Sequence, residues 1–171
     1  MENIIQELID TVKQADNPST LRAIWGKFLK VLAESTGMTS AHLCHHDFVQ
    51  RESIIEAEYF SRRSEFLESQ SEIGKAFPEA GFPYTAAWLR QPGNAPRIQH
   101  TKEMPLDDPE RHEFVSYQVK TAVFLKIAHK DHVWGYIEMW NSRTKREFTT
   151  KELKQLQHIT AQFAQTVLAQ K

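Results

Sequence analysis

The sequence holds a single cysteine, Cys44, in 171 residues. A lone thiol excludes an internal disulfide framework, a thiolate zinc cluster and a two-thiol redox cycle within one chain. Glycine and proline are scarce, at 6 and 7 copies, which speaks against long disordered linkers. Neither sign of charge dominates, with 21 Lys and Arg against 22 Asp and Glu, so the basic footprint of a nucleic-acid binder is missing. Apolar runs such as residues 122–125 fall far short of a bilayer span. No basic segment followed by an apolar stretch opens the chain, so the expectation is a cytoplasmic protein without an export signal, bound to neither nucleic acid nor membrane. What is present, 40% apolar and 25% charged residues, suits one soluble domain with a real core.

Ile4, Ile5, Leu8, Ile9 and Val12 recur at spacings of three and four, predicting an amphipathic helix over 3–14. The chain then divides into this N-terminal helix, residues 1–18, and a single domain over 19–171. Pro18 is expected to interrupt the helix, with Ser19 or Thr20 capping a second one that carries Leu21, Ile24, Trp25, Phe28, Leu29 and Leu32 and stops at Gly37. Alternation predicts strands within 38–50 and over 53–60, joined by a hairpin at Arg51-Glu52. Residues 64–77, with Phe66, Leu67, Ile73 and Phe77, read as a weakly periodic helix.

Six of the seven prolines lie in 78–117. This excursion is expected to hold a short helix at 86–90, a turn at 91–94, an edge strand at 97–99 and a helix over 110–117 capped by Asp107 or Asp108. Residues 121–128 and 133–141 are rich in β-branched and aromatic side chains and predict a second hairpin. Thr149-x-x-Glu152 is a capping box, opening a last helix with Leu153, Leu156, Ile159, Thr160, Phe163 and Val167 on its stripe.

The run Thr121-Ala-Val-Phe-Leu-Lys-Ile, the segment Val133-Trp-Gly-Tyr-Ile-Glu-Met, and Phe148-Thr-x-x-Glu152-Leu ahead of a helix containing Ile159-Thr-Ala-Gln162 resemble the C-terminal half of a GAF domain. The likeness covers roughly residues 21–168. It departs from the family pattern at Phe124-Leu125, where many members have Pro-Leu, and over 97–100, where many carry an aspartate. The resemblance implies an α+β fold: a GAF/PAS-like central antiparallel sheet of five or six strands, terminal helices on one face and the helical excursion over the other. It also implies a sensory or regulatory module, often dimeric and attached to an output domain, with an unidentified small molecule as partner; a ligand-free dimerisation or protein-interaction module is the alternative, and the lone cysteine with no catalytic motif makes an enzyme the least expected class.

A candidate cavity wall follows from pairing Ala128 with Val133. Val123 then faces Glu138, Leu125 faces Tyr136 and Thr121 faces Trp140. The face with Thr121, Val123, Trp134, Tyr136, Glu138 and Trp140 is expected to line the cavity under Trp88 and Tyr84. Gly135 on the opposite face would admit the helices closely.

Each candidate has an ordinary reading beside its functional one. Glu138 lies between Ile137 and Met139; it is either a ligand acceptor or, more ordinarily, a carboxylate paired to a lysine or arginine. Tyr136 and Trp140 either stack on a ligand or fill the core. The histidine clusters, His45-His46 and His129-x-x-His132, are poor metal sites, because neighbours along a strand point to opposite faces. Cys44-His45 matches the dipeptide that attaches a bilin in phytochrome-like GAF domains, but it stands in the first strand rather than in the middle excursion, so no covalent bilin is expected. One cysteine also lacks the resolving thiol that GAF-fold sulfoxide reductases use. Finally, Ile5, Leu8, Val12, Leu156, Phe163 and Val167 form helical stripes that could join two copies as a homodimer.

Overall fold

The computed structural model describes residues 6–7, 10–11 and 17–168. The expected helix over 3–14, with Ile5, Leu8 and Val12, therefore lies mostly outside the described residues. Helix α1, Pro18–Thr36, begins at the proline rather than after it: the Asn17 side chain accepts from the Thr20 amide at 2.9 Å, and Pro18 takes the first helical position. That position needs no amide donor, and the fixed φ of proline suits it. Gly37 closes the helix at φ 73°, where a side chain would be strained.

Strands β1 (Ser40–Asp47), β2 (Glu52–Phe60), β3 (Ala76–Pro78), β4 (Arg97–His100), β5 (Thr121–His129) and β6 (His132–Asn141) form one antiparallel sheet in the order β3-β2-β1-β6-β5-β4. Helices α2 (Pro83–Arg90) and α3 (Pro109–Ser116) lie in the excursion, and α4 (Thr150–Leu168) follows the capping box. In that box the Thr149 amide donates to Glu152 Oε2 at 2.8 Å and the Glu152 amide to Thr149 Oγ1 at 3.2 Å. Asp108 is the cap of α3, accepting from the Glu110 amide.

Residues 64–75 form turns rather than a helix. Their apolar members Phe66, Leu67 and Ile73 are exposed, and a helix without an apolar face to bury has little to hold it. The segment is anchored instead by Glu68, buried to 1% exposure, which accepts from Thr39 Oγ1 and from the Glu65 amide.

Helices α1 and α4 cover one face of the sheet. Leu29, Leu32, Leu43, Leu125, Ile137 and Met139 are fully buried there, and Phe28 stacks on Phe163 with ring centroids 4.3 Å apart. Leu156 and Phe163, expected on a dimer seam, are 2% and 0% exposed inside this layer. They are spent on the chain's own core and cannot line an interface.

A bulge decides which side chains reach the opposite face. Ala128 does pair with Val133, but Ile127 pairs with Gly135, skipping Trp134. From there to the strand end the register is displaced by one: Val123 faces Met139, Phe124 faces Glu138 and Thr121 faces Asn141. Because side chains alternate with period two, one extra residue turns every β5 side chain over relative to β6. Trp134 is carried to the helix side, 6.1 Å from Trp25. Gly135 opens a gap for β1, not for a helix: a Cβ there would sit 2.0 Å from the Cys44 carbonyl oxygen. A second register shift in the β1–β2 pair, between Leu43 and Cys44, puts Ile55 on the face opposite Ala57.

Candidate functional site

The face away from α1 and α4 carries Phe124, Tyr136, Glu138 and Trp140 from β5 and β6 with His42 and Cys44 from β1. The excursion roofs it, with Phe114, Glu110 and Glu113 from α3 and Phe77 and Phe82 from the segment before α2. Between them lies a cavity of about 50 Å³.

Of the expected cavity residues, Tyr136, Glu138 and Trp140 line it. Val123 does not: the bulge turns it into the helix-side core at 0% exposure. Thr121 is buried and its hydroxyl serves the backbone of the polar turn, accepting from the Arg146 amide at 2.9 Å. Trp88 packs on the cavity side, 6.2 Å from Phe124, but its Nε1 donates to Ala95 O and its ring covers Lys126 rather than the cavity. Tyr84 is 53% exposed on the outside of α2. His42, Glu110, Glu113 and Phe114 were not singled out from the sequence. The signal was there: Glu110, Glu113, Phe114 and Tyr117 sit at spacings of three and four on one helical stripe.

Two cavity carboxylates are satisfied by protein cations. Glu110 accepts from Arg97 Nη2 at 2.7 Å and from the Thr85 amide at 2.7 Å. Glu72 accepts from Lys75 Nζ at 2.5 Å and from Tyr117 Oη at 3.2 Å. Glu138 has neither kind of cation: among the described residues its one hydrogen-bond donor is Trp140 Nε1, at 2.5 Å. The ordinary expectation of a paired lysine or arginine is thus not met. Burial first, and then the nearby Glu113 and Glu110, push the Glu138 carboxyl up to about 8, against the pull of Trp140 and Arg97. Burial with Glu72 and Glu110 pushes Glu113 up to about 7.

His42 pairs across the strands with Glu138. It is 5% exposed, packs against the rings of Phe60 and Trp140, and its Nδ1 is buried without a hydrogen-bond partner. Burial lowers its pKa to about 4, so the imidazole is neutral at pH 7. Burial also raises the Cys44 thiol well above its usual range, which removes the thiolate a covalent attachment would need.

The Glu138 shift has a measurable consequence. The folded chain holds this proton more tightly than the unfolded chain does. Its contribution to stability is therefore complete below the ordinary carboxyl pKa and is lost as pH rises towards about 8. Glu113 acts in the same direction up to about 7. Thermal melts are expected to show Tm falling between pH 6 and 8, and Glu138→Gln, which keeps an acceptor for Trp140, is expected to flatten most of that fall.

No family model matches the sequence, and no curated protein matches it. Solved structures do resemble it. A phycocyanobilin-bound GAF domain from a cyanobacterial phytochrome superposes with TM-score 0.79 at 18% identity, over 98% of this chain and 93% of that one. A phycoerythrobilin-bound GAF domain, again from a cyanobacterial phytochrome, gives 0.78 at 17% identity, over 97% and 93%. The blue-light-absorbing form of the PixJ GAF domain of Thermosynechococcus elongatus gives 0.68 at 12% identity, over 87% and 85%. The six-stranded antiparallel sheet with its helical layer on one face and excursion on the other is the GAF fold.

Proposed function

We propose that this GAF-fold chain is a sensory or regulatory module that binds a small molecule non-covalently in the cavity between the sheet and α2–α3. The observation that carries the reading is the polar side chains left over there. Glu138 has no cation and His42 Nδ1 no partner, although buried polar groups are ordinarily satisfied. A folded chain tolerates such groups where a ligand completes them, and binding sites are where perturbed carboxyls collect.

The bilin-bound neighbours share the fold, but a cavity of about 50 Å³ is far below the several hundred Å³ of a drug-sized site. The ligand is smaller than a tetrapyrrole, and the neutral Cys44 thiol favours reversible binding. The role is binding rather than turnover. The module works in the cytoplasm as a homodimer and passes its signal to an output domain or protein. Its dimer interface uses the outward surfaces of the terminal helices, since Leu156 and Phe163 are occupied within the core. No helix among the described residues is long and apolar enough to cross a membrane.

Native mass spectrometry of freshly purified protein, set beside the denatured spectrum, tests the reading. Extra mass under native conditions, or a thermal shift with members of a metabolite library, is the expected result. Neither, together with an intact dimer, would make the chain a ligand-free assembly module instead.

A further inference from the structure

Carboxyl groups outnumber cations around the cavity. Four carboxylates, from Glu72, Glu110, Glu113 and Glu138, line it. Lys75 and Arg97 are each already committed, to Glu72 and Glu110. Glu113 and Glu138 are left without a cation among the described residues. A buried carboxylate with no counter-charge is costly, which is why both hold their protons to near-neutral pH.

His42 is the independent observation. Its Nδ1 is buried and unpartnered, and its backbone stands opposite that of Glu138 in the β1–β6 pair. A neutral imidazole whose proton sits on Nε2 offers a lone pair at Nδ1. With the two carboxylates this makes a set of acceptors awaiting N–H donors. Phe114, Phe124 and Trp140 supply ring surfaces around them, and aromatic faces attract cations, most strongly once desolvated. A metal ion is a poor fit, since no group of three or more His, Cys, Asp and Glu among the described residues is arranged to hold one.

We propose that the cavity receives the cationic nitrogen head of a small organic base, an ammonium, amidinium or guanidinium group, held by Glu138, Glu113 and His42 Nδ1 against the aromatic wall. This rests on the small-molecule reading above and names the ligand's chemical class. The cavity volume limits the buried head to a few heavy atoms. Binding discharges the carboxyl protons to solvent, because a bound cation favours the ionised form.

Affinity is therefore linked to pH. The groups facing Glu138 are His42 and Cys44 from β1, Tyr136 from β6, Arg97 from β4, and Glu110 and Glu113 from α3, together with Glu72 and Lys75. Burial and neighbouring carboxylates hold Glu113 up to about 7 beside Glu138, whereas burial lowers His42 to about 4 and raises Cys44 and Tyr136 well above their usual ranges. Affinity for a cation that stays protonated is expected to rise about tenfold or more from pH 6.5 to pH 9, as Glu138 ionises.

The test is calorimetry and thermal shift on the full chain with three isosteric sets. Ethylamine, butylamine and benzamidine are the cations; the matching alcohols and carboxylates are the controls. Binding by the cations alone, rising with pH, with proton release that scales across buffers of different ionisation enthalpy, is the expected result. Glu138→Gln is expected to weaken butylamine binding at pH 9 by about tenfold or more and to blunt the pH rise. Glu113→Gln provides a second variant at a partly exposed position. Binding by alcohols or carboxylates in preference to amines would overturn the cation assignment while leaving the small-molecule site intact. Amine binding that neither variant changes would overturn it as well. No binding by any set, with no retained mass under native conditions, would overturn both readings together.

Discussion

Gly135→Ala is expected to destabilise the chain by about 3 kcal/mol or more, a large share of the stability of a marginally stable domain. The reason is a backbone collision. A Cβ at this position lies 2.0 Å from the Cys44 carbonyl oxygen and 3.0 Å from both the Cys44 carbonyl carbon and His45 Cα. Backbone atoms paired in a sheet cannot swing aside as the end of a long side chain does. Two irregularities meet here: β5 and β6 slip by one at Ile127/Ala128, and β1 and β2 slip at Leu43/Cys44. The central pair β1–β6 is pressed together between them.

Gly26→Ala is the matched control. Its nearest neighbour would be Glu58 O at 3.8 Å, an ordinary contact, and alanine in a helix interior gains up to about 1 kcal/mol over glycine. Urea unfolding of both variants should move in opposite directions. An alanine at position 135 tolerated within about 0.5 kcal/mol would mean that β1 does not approach β6 this closely, and the register that brings Glu138 opposite His42 would fall with it.

The same bulge marks the boundary of what could be read from the sequence. Both hairpins, the capping box at Thr149 and the helix cap at Gly37 are local matters, set by periodicity and by residues within a turn of each other. They were legible. In the candidate site, β6 was legible too, because Tyr136, Glu138 and Trp140 alternate within one strand. Val123 and Thr121 were misplaced because facing across a pair depends on register, and a single skipped residue, Trp134, reverses it without any mark in composition. Residues 64–77 failed for a different reason: their apolar residues look helical by spacing, yet the segment is held by Glu68 and Glu58 accepting backbone and hydroxyl protons. His42 and Glu113 come from opposite layers of the fold. Their meeting at one cavity is a tertiary fact that neither segment contains.

Phe163→Ala is expected to cost about 3–5 kcal/mol, as removal of a fully buried aromatic ring does. The ring stacks on Phe28 at 4.3 Å with planes 7° apart, and it is completely enclosed between α1, α4 and the sheet. Truncation forfeits both the buried area and the stacking, and α1 has no route to close the void while Leu29 and Leu32 keep it seated. The size of the loss separates core from interface. An interface phenylalanine, once truncated, lowers the dimerisation constant while the monomer keeps its unfolding midpoint. A core phenylalanine lowers the midpoint at every protein concentration and leaves the association constant of the remaining folded protein alone. Unfolding followed at two concentrations a hundredfold apart, with sedimentation of the folded variant, distinguishes the two. A concentration-dependent loss confined to assembly would return Phe163 to a dimer seam and take the helix layer off the sheet. A uniform loss fixes the layer in place and leaves the carboxylate-lined face opposite it as the surface free to take a ligand.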